Sequence, residues 1–361
     1  MKEIRVKLSK DEYSIFIERG LIEKVSSYIK EINMGNKIAI ITDDNIENIY
    51  GHSLKDQLRD NGFIVKMIVI KAGEQSKSLS MLQYIYEELL SFEITRGDLI
   101  LAFGGGVVGD VGGFAAATYL RGIPFVQIPT TLLAQIDSSV GGKVAVNLPV
   151  GKNLVGSFYQ PKAVLIDPDI LSSLDKRNMN NGMAEVIKYA CIVDKNLFKK
   201  LMELSREELL AQIEDIIYTC CRIKTKIVEQ DERDMGERML LNFGHTLGHA
   251  IENYFNTEKY THGEAVAMGM YNITKKSEAL GITKKGTAEQ LEKILKKYHL
   301  PYKIPTMDTN KIIRTIALDK KNKGDYIELI LLRRIGVSER LKFTVEEIGR
   351  GRFFLFNSSD L

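Results

Sequence analysis

The sequence predicts an α/β fold: an N-terminal Rossmann-like parallel-sheet domain, residues 1–174, followed by a mainly α-helical C-terminal domain, residues 175–361. Three observations predict it. Short runs rich in Ile and Val alternate with amphipathic stretches in the first half, a glycine-rich turn follows one of these runs, and the apolar spacing becomes helical after about Leu174. A chain of 361 residues is long enough for roughly two domains, each with its own buried core.

Five apolar runs are the predicted strands of the sheet, and the helical segments between them would form the crossovers. These runs are residues 37–42, 63–70, 98–103, 125–130 and 163–167. From Met183 to Lys297 the spacing is mostly helical, with few Gly or Pro interruptions. A late run, residues 326–336, predicts a strand or a small hairpin with no clear place in the fold. The segments before Lys37 and after Asp325 carry no usable motif.

Composition excludes several classes of protein. Hydrophobic residues make up 44% and charged residues 27%, which is typical of a globular chain. The net charge of +3 is too small to predict a nucleic-acid partner. No signal-peptide core and no run of about 18 apolar residues is present, so we expect a soluble, cytoplasmic protein without a membrane partner. Cys191, Cys220 and Cys221 form neither a CxxC pair nor an even set, which predicts structural thiols in a reduced compartment.

The stretch DLILAFGGGVVGDVGGF indicates a strand, a glycine turn and a helix. Gly104, Gly106 and Gly109 match G-x-G-x-x-G, in which bare backbone lets a pyrophosphate approach a helix N-terminus. A tight turn whose glycines only serve helix packing is an equally good interpretation. The motif follows the third predicted strand, so this is not the usual Rossmann arrangement. Asp43 and Asn45 follow the first predicted strand, where they could bind a ribose or cap the next helix.

Residues 127–161 combine hydroxyl, carboxylate, lysine and amide side chains with glycine. Glycine beside lysine leaves backbone N–H groups open and lets an ammonium reach a phosphate, which suits a small anionic substrate. The alternative is a long polar surface loop, but loops of this length are often functional. The polar side chains are those of Thr130, Thr131, Asp137, Ser138, Ser139, Lys143, Lys152 and Asn153.

Three of the five histidines lie close together in the sequence. His245 and His249 are four residues apart, so both could face one metal from a helix, and His262 follows. The segment reads H-T-L-G-H and lacks the Glu of a metalloprotease motif, which excludes that class. Glu185 and Lys188 lie three residues apart, on one helix face in an apolar segment. Glu185 could supply an oxygen ligand to the metal, or the two residues could form a surface salt bridge.

These segments together resemble the 3-dehydroquinate synthase family. The similarity runs through GEQSK, the glycine turn and its continuation to FYQP, NGMAEVIKYA, DERDMGERMLLNFGHTLGHAIE and HGEAVAMGM, and covers most of residues 37–325. AQIDSSVGGK is the most specific part, because the wider superfamily of glycerol dehydrogenases and sugar-phosphate cyclases alters it. The resemblance implies an active site in the cleft between the two domains, with NAD and zinc or cobalt as cofactors.

The resemblance also implies a role for individual residues. The metal ligands would be Glu185, His245 and His262, while His249 would contact substrate instead. NAD would be held by Asp43, Asn45, Glu74, Lys77, Gly105, Gly106, Asp110, Thr130 and Thr131, with Lys143, Lys152 and Ser173 as further contacts. Ser173 lies in SSLD, where the family usually has Thr-Leu-Pro, and it keeps the hydroxyl. Catalytic roles fall to Asp137, Lys143, Lys188, Asn242 and His249, and substrate binding to Arg121, Lys152, Asn153, Lys224 and Arg238. A last substrate contact is either Lys320 or Lys321.

The reaction implied is conversion of 3-deoxy-D-arabino-heptulosonate 7-phosphate to 3-dehydroquinate and phosphate, by transient oxidation with NAD, phosphate elimination, reduction, ring opening and intramolecular aldol closure. Lys224 and Arg238 would bind the carboxylate. Arg121 would reach the phosphate in a neighbouring subunit, which implies a homodimer. His249 and Asn242 would assist proton movement, with no separate nucleophile. The alternatives are a polyol or alcohol dehydrogenase, a cyclase for another sugar phosphate, and a non-catalytic nucleotide or metal sensor.

Overall fold

The computed structural model describes residues 1–32, 35–255, 259–305, 307, 326–344 and 347–348. They form two compact units. Unit 1 contains Met1–Asp175 and Ile213–Arg233, and unit 2 contains Lys176–Gln212 and the described residues from Asp234 onward. The division of the chain into domains at residues 1–174 and 175–361 remains a prediction. Lys320 and Lys321, the two candidates for a last substrate contact, lie outside the described residues.

A seven-stranded sheet is the framework of unit 1. The strands of this unit are β1 (Lys2–Lys7), β2 (Glu12–Ile17), β3 (Lys37–Asp43), β4 (Ile64–Ile70), β5 (Leu99–Gly104), β6 (Phe125–Pro129), β7 (Lys143–Leu148), β8 (Gly151–Phe158) and β9 (Ala163–Ile166). Seven of these strands form the sheet, in the order β1-β2-β9-β6-β5-β3-β4, and β7 and β8 pair with each other in a separate hairpin. Only the β1–β2 pairing is antiparallel. The predicted parallel sheet is confirmed, and each of its five predicted strands agrees to within one residue at either end.

Helices cover both faces of this sheet. They are α1 (Val25–Ile32), α2 (Asp44–Ile46), α3 (His52–Asp60), α4 (Leu79–Ser91), α5 (Gly106–Thr118) and α9 (Ile213–Gln230). Successive residues of a strand point to opposite faces. Ile40 and Leu101 therefore pack with residues of α1 and α3, whereas Ile41 and Ala102 pack with residues of α4 and α5. Burial on both faces explains why the strands appear in the sequence as continuous apolar runs.

The N-terminal hairpin β1–β2 is a feature that the sequence analysis missed. Ile4, Val6 and Ile15 are buried while their neighbours along the strands are more exposed. This alternation is typical of a sheet with one solvent-exposed face. Two strands therefore precede residues 37–42, and the glycine turn follows the fifth strand of the chain. Helix α9 packs against β1, and the Lys7 backbone N–H donates to Glu229 at 2.8 Å.

Residues 127–161 are more ordered than the long polar loop considered as an alternative. A helical turn, Ala134–Ser138, leads into the antiparallel hairpin β7–β8. Val144 and Val146 of β7 are buried in the core formed with α5, which anchors the hairpin to unit 1. The hairpin therefore presents its polar residues from a defined backbone.

Unit 2 is mainly helical, as predicted. Its helices are α6 (Lys176–Val193), α7 (Lys195–Glu203), α8 (Arg206–Ala211), α10 (His245–Tyr254), α11 (His262–Ala279) and α12 (Thr287–Lys297). The late apolar run, residues 326–336, forms β10 (Tyr326–Arg334) and the turn after it. The following strand, β11 (Val337–Thr344), completes a hairpin that packs against α6. The three cysteines are buried free thiols, which confirms their structural interpretation. Among the described helices, none has the length and hydropathy needed to cross a bilayer.

Close packing of α10 on α11 depends on glycine. A Cβ atom at Gly269 would clash with the carbonyl oxygen of Gly244, directly before α10. We expect Gly269→Ala to lower the free energy of unfolding by about 2 to 3 kcal/mol, because backbone atoms cannot rotate away as a side chain can. Urea denaturation would measure this. Gly97→Ala is the control, since its nearest neighbour would lie 3.8 Å away, and equal stability of both variants would contradict the expectation.

Candidate active site

The three residues predicted as metal ligands come together in unit 2. Glu185 lies on α6, His245 is the first residue of α10 and His262 is the first residue of α11. Their ligand atoms all lie within 4.8 Å of one another. The Nε2 atoms of His245 and His262 are 3.7 and 3.6 Å from Glu185 Oε1. A tetrahedral ion with bonds of about 2.0–2.1 Å needs its ligand atoms about 3.3 Å apart, so a small contraction would let this set bind zinc or cobalt.

Local sequence fixes the start of both histidine-bearing helices. Thr261 caps α11 by accepting from the Glu264 N–H, and the Glu264 carboxylate accepts from the Thr261 N–H in return. Helix α10 instead begins after Gly244, whose φ of 81° lies in the left-handed region that glycine tolerates. His245 and His262 are therefore held at defined positions before any ion binds.

Each of these two imidazoles also has a partner at its second nitrogen. His245 Nδ1 lies 3.2 Å from the Phe243 carbonyl oxygen, and His262 Nδ1 lies 3.5 Å from Glu252 Oε2. A proton on Nδ1 would leave Nε2 facing Glu185, which is the orientation that metal-binding histidines need. The sequence analysis missed Glu252, although its position three residues after His249 on α10 could have indicated it.

Glu185 and Lys188 form a buried ion pair. Lys188 Nζ contacts Glu185 Oε2, and the side chains are only 1% and 0% exposed. The alternative of a surface salt bridge is therefore wrong for this pair. Buried charges persist where they are paired, and removal of one partner alone is costly. The arrangement places an ammonium beside the carboxylate of the candidate metal group.

The pKa values of the two histidines of the group are shifted in opposite directions. Burial, with a further contribution from Lys188, lowers the pKa of His245 to about 3. Burial also opposes protonation of His262, but the carboxylates of Glu185 and Glu252 outweigh it and raise the pKa to about 10. Without an ion, His262 is therefore protonated and His245 neutral at neutral pH.

His249 lies beside this group on the exposed side of α10. Its ring centroid is 5.4 Å from that of His245 and 6.2 Å from that of His262. A second set of ligand atoms, from His249, Glu252 and His262, also lies within 4.8 Å. His262 thus belongs to two overlapping groups, and geometry alone leaves both able to hold a cation.

Two more predicted site residues precede His245. Arg238 and Asn242 lie on the 3-10 turn Glu237–Asn242, which packs against α6. Arg238 is buried and Asn242 is half-buried. The turn leads directly into Phe243, whose carbonyl contacts His245, so these residues follow one another along the chain towards the candidate metal group.

The glycine turn of unit 1 combines both interpretations considered for it. Helix α5 begins at Gly106, and its N-cap Gly105 has no side chain to occupy the first N–H groups. Farther along, a Cβ at Gly113 would lie 2.5 Å from Val144, so this glycine serves packing. Thr130, at the end of the adjacent β6, has a buried hydroxyl without a hydrogen-bond partner among the described residues. An open helix N-terminus and an unsatisfied hydroxyl fit a dinucleotide phosphate.

Side chains at the ends of β3 and β4 surround the same edge of the sheet. Asp43 caps α2, because its Oδ1 accepts from the N–H groups of Asn45 and Ile46, so the capping interpretation is confirmed. Its burial raises the pKa of the Asp43 carboxyl. Lys77 forms an ion pair with Asp110 of α5. Parallel strands bind ligands at their carboxyl ends, where these residues lie.

The remaining predicted residues of unit 1 have varied surroundings. Lys224 of α9 is buried and donates to Asp137 Oδ1 at 2.6 Å. Arg121 has a φ of 68°, an uncommon backbone conformation for a non-glycine residue, on the 3-10 turn that follows α5. Ser173 donates its hydroxyl to the Ile170 carbonyl. Lys143 is exposed at the start of β7, and Lys152 and Asn153 lie on β8. Thr131 Oγ1 accepts a hydrogen bond from the Ala134 N–H. The Glu74 carboxylate accepts one from the Asn147 side chain.

Comparison with known proteins gives this arrangement a family. Residues 67–181 match the family described as 3-dehydroquinate synthase N-terminal, and residues 182–322 match 3-dehydroquinate synthase C-terminal. The chain belongs to the 3-dehydroquinate synthase family. A 3-dehydroquinate synthase from Clostridium botulinum (strain Alaska E43 / Type E3) is 58% identical over 339 residues, which cover 94% of this chain and 97% of the relative.

Solved structures of related cyclases share the fold of this 3-dehydroquinate synthase family member. A 2-deoxy-scyllo-inosose synthase complexed with carbaglucose-6-phosphate, NAD⁺ and Co²⁺ is 27% identical, with a TM-score of 0.85 over 97% of this chain and 99% of the other. A 2-epi-5-epi-valiolone synthase from Streptomyces hygroscopicus subsp. jinggangensis 5008, with NAD⁺ and Zn²⁺ bound, is 26% identical, with a TM-score of 0.87 over 97% and 98%.

Proposed function

We propose that this protein is an NAD- and metal-dependent lyase that converts 3-deoxy-D-arabino-heptulosonate 7-phosphate to 3-dehydroquinate and phosphate. The observation that carries the proposal is the group of Glu185, His245 and His262 in a chain 58% identical, along nearly its whole length, to a named 3-dehydroquinate synthase. The related cyclases with bound NAD⁺ and Co²⁺ or Zn²⁺ support the same cofactors here. The reaction would be part of aromatic biosynthesis in the cytoplasm.

The cofactors would supply chemistry that side chains lack. Zinc or cobalt, held by Glu185, His245 and His262, would act as a Lewis acid on a substrate hydroxyl. NAD would accept a hydride and later return it, bound by the backbone at Gly105 and Gly106 with Thr130, Thr131, Asp43, Asn45, Glu74, Lys77, Asp110 and Ser173 around it. The Lys77 contact to Asp110 and the unsatisfied Thr130 hydroxyl support this assignment.

The basic residues would recognise the two anionic ends of the substrate. Lys224 and Arg238 would bind its carboxylate, because hydrogen bonds between charged groups are strong in buried surroundings. The phosphate would meet Lys143, Lys152 and Asn153. The substrates of a glycerol or alcohol dehydrogenase carry no such charges, so the number of basic residues argues against a dehydrogenase.

Proton transfer would fall to a few residues near the metal group. His249 is accessible and its ring is 5.4 Å from that of His245, so it can reach substrate without leaving the site. Asn242 would hold a substrate hydroxyl, and Lys188 would set the charge around it. Asp137, a residue of unit 1, is a further catalytic residue in our assignment. No further nucleophile is needed, because later steps proceed within one well-oriented molecule.

Oligomerisation would complete the site. We propose a homodimer in which Arg121 contributes to the phosphate site of the neighbouring subunit. Arg121 has an uncommon backbone conformation, with a positive φ, just after α5. Such conformations cluster at functional sites, which supports a functional role for this residue. Sedimentation at micromolar concentration would test the assembly, and a single-chain mass would contradict it.

Phosphate release with catalytic NAD tests the proposed function directly. Purified protein with zinc, NAD and 3-deoxy-D-arabino-heptulosonate 7-phosphate should release phosphate over many turnovers without accumulation of NADH. Only a returned hydride gives that result. Stoichiometric NADH without phosphate would instead indicate a dehydrogenase, and no signal in either assay would indicate another sugar phosphate or a non-catalytic sensor.

Metal binding should also release a proton. Because the pKa of His262 is about 10 in the absence of an ion, its Nε2 carries a proton at pH 7.5 that the cation must displace. We expect release of about one proton per Co²⁺, and affinity that rises with pH up to about 10. His245 contributes none above about pH 5, since its pKa is about 3. Calorimetry in buffers of different ionisation enthalpy measures the number, and a value of zero would contradict the assignment.

A further inference from the structure

Asn147 makes hydrogen bonds to two segments that the proposed function uses separately. Its Nδ2 donates to Glu74 Oε1 at 2.7 Å, and its Oδ1 accepts from the Asn153 backbone N–H at 2.9 Å. The Asn147 backbone N–H donates to the Lys77 carbonyl at 2.8 Å. A carboxylate can only accept and a backbone N–H can only donate, so these partners fix which way the amide points. One half-buried side chain therefore connects the segment after β4 to strand β8.

The contact to Asn153 lies at an irregularity of the β7–β8 hairpin. Val146 pairs with Val155 and Leu148 pairs with Gly151, so residues 152–154 stand opposite Asn147 alone. Asn153 has a φ of 55°, in the left-handed region that asparagine tolerates better than most residues. Bulges of this kind redirect side chains and are common beside active sites. The Asn147 carbonyl thus stabilises the bulge that carries Lys152 and Asn153.

We propose that Asn147 is a positioning residue that couples the cofactor site to the phosphate site. Its amide N–H group orients the Glu74 carboxylate, and its carbonyl oxygen holds the bulge that presents Lys152 and Asn153. The inference rests on the proposed function, because that function assigns Glu74 to NAD and Asn153 to phosphate. Asn147 itself is not among the residues that the sequence analysis selected.

A purely structural role for Asn147 predicts a different pattern of effects from a coupling role. Asn147→Asp keeps an acceptor for the Asn153 N–H, but it loses the donor to Glu74 and places a second negative charge beside that carboxylate. Asn147→Ala loses both bonds. A coupling role therefore predicts that Asn147→Asp weakens only the cofactor site, whereas Asn147→Ala weakens both the cofactor site and the phosphate site. A structural role predicts loss of stability without this selectivity.

The experiment measures both sites in the full-length protein with metal bound. NADH affinity is obtained by fluorescence titration, and the KM for 3-deoxy-D-arabino-heptulosonate 7-phosphate by phosphate release. For Asn147→Asp we expect NADH to bind about tenfold more weakly with KM changed less than about threefold, because a hydrogen bond to a charged group is lost. For Asn147→Ala we expect both constants to rise about tenfold. Adding Glu74→Gln to Asn147→Asp should recover part of the NADH affinity, since an amide at position 74 can donate to the new carboxylate.

Controls make the outcome decisive. Ser157→Ala changes an exposed side chain of the same strand and should leave both constants within about twofold. Equal effects of the Asp and Ala variants on both constants, or no effect of either, would overturn the proposal. If Asn147→Ala fails to fold, the Asp variant and its combination with Glu74→Gln still decide. If the unaltered protein releases no phosphate, the proposed function fails, and calorimetry with NADH and inorganic phosphate still tests the coupling.

Discussion

Glu185→Gln should abolish most metal binding and activity. The change removes the only carboxylate of the Glu185, His245 and His262 group and leaves Lys188 buried beside a neutral amide. Loss of a partner residue that only orients a ligand costs roughly 10- to 100-fold in metal affinity, and we expect loss of this ligand to cost more. Phosphate release should fall at least about 100-fold. The metal-free protein should lose about 3 to 5 kcal/mol of unfolding free energy, because one charge of a buried pair remains.

Cobalt titration, phosphate release and urea denaturation measure these effects. Glu203→Gln is a matched control, because Glu203 forms an ion pair with Lys199 in which both side chains are well exposed. Exposed pairs contribute at most about 1 kcal/mol, so this variant should behave like the unaltered protein. Unchanged cobalt affinity in Glu185→Gln would show that the cation binds elsewhere, with the His249, Glu252 and His262 group as the next candidate.

His249→Ala should lose turnover while it keeps the metal. General acid–base groups contribute roughly 100- to 10,000-fold, so we expect phosphate release to fall by about that factor. Cobalt affinity should change less than about threefold, since the ligands in our assignment are Glu185, His245 and His262. The measurement is kcat against pH, together with cobalt titration, because loss of a proton-transfer group alters the pH profile as well as the rate.

His52→Ala serves as the control, because His52 is an exposed histidine on α3 of unit 1. Full turnover in His249→Ala would exclude the proposed proton transfer. A tenfold or greater loss of cobalt affinity would instead mean that the second ligand group takes part in binding. The two overlapping groups around His262 are thereby distinguished by one substitution and two readouts.

The strands were the most predictable part of the fold. Burial on both faces makes a parallel strand a continuous apolar run, and such runs identified β3, β4, β5, β6 and β9 to within one residue at either end. The hairpin β1–β2 was missed because its alternating pattern is weaker and charged residues interrupt it. The hairpin in residues 127–161 was missed for a related reason: glycine and polar residues dominate β8, and only β7 carries a buried alternation.

The candidate site was predictable only in part from residue patterns. Spacing correctly put Glu185 and Lys188 on one helix face, and it could not say whether that face was exposed. Only packing of α6 within unit 2 buries the pair. Helical spacing from His249 could have indicated Glu252, whereas the position of Asn147 depends on a contact with Glu74, distant in the sequence, which no local period reveals.

By itself, the sequence determined the parallel sheet, the glycine turn, the helical second half and the family, because these depend on local periodicity and on short motifs with fixed spacing. The resemblance named Glu185, His245 and His262 as metal ligands, but only the tertiary structure shows that they meet, since the three residues lie on separate helices and their approach depends on helix packing. The tertiary structure also decided that α9 packs on the sheet of unit 1, because an amphipathic helix does not specify which apolar surface will cover its own.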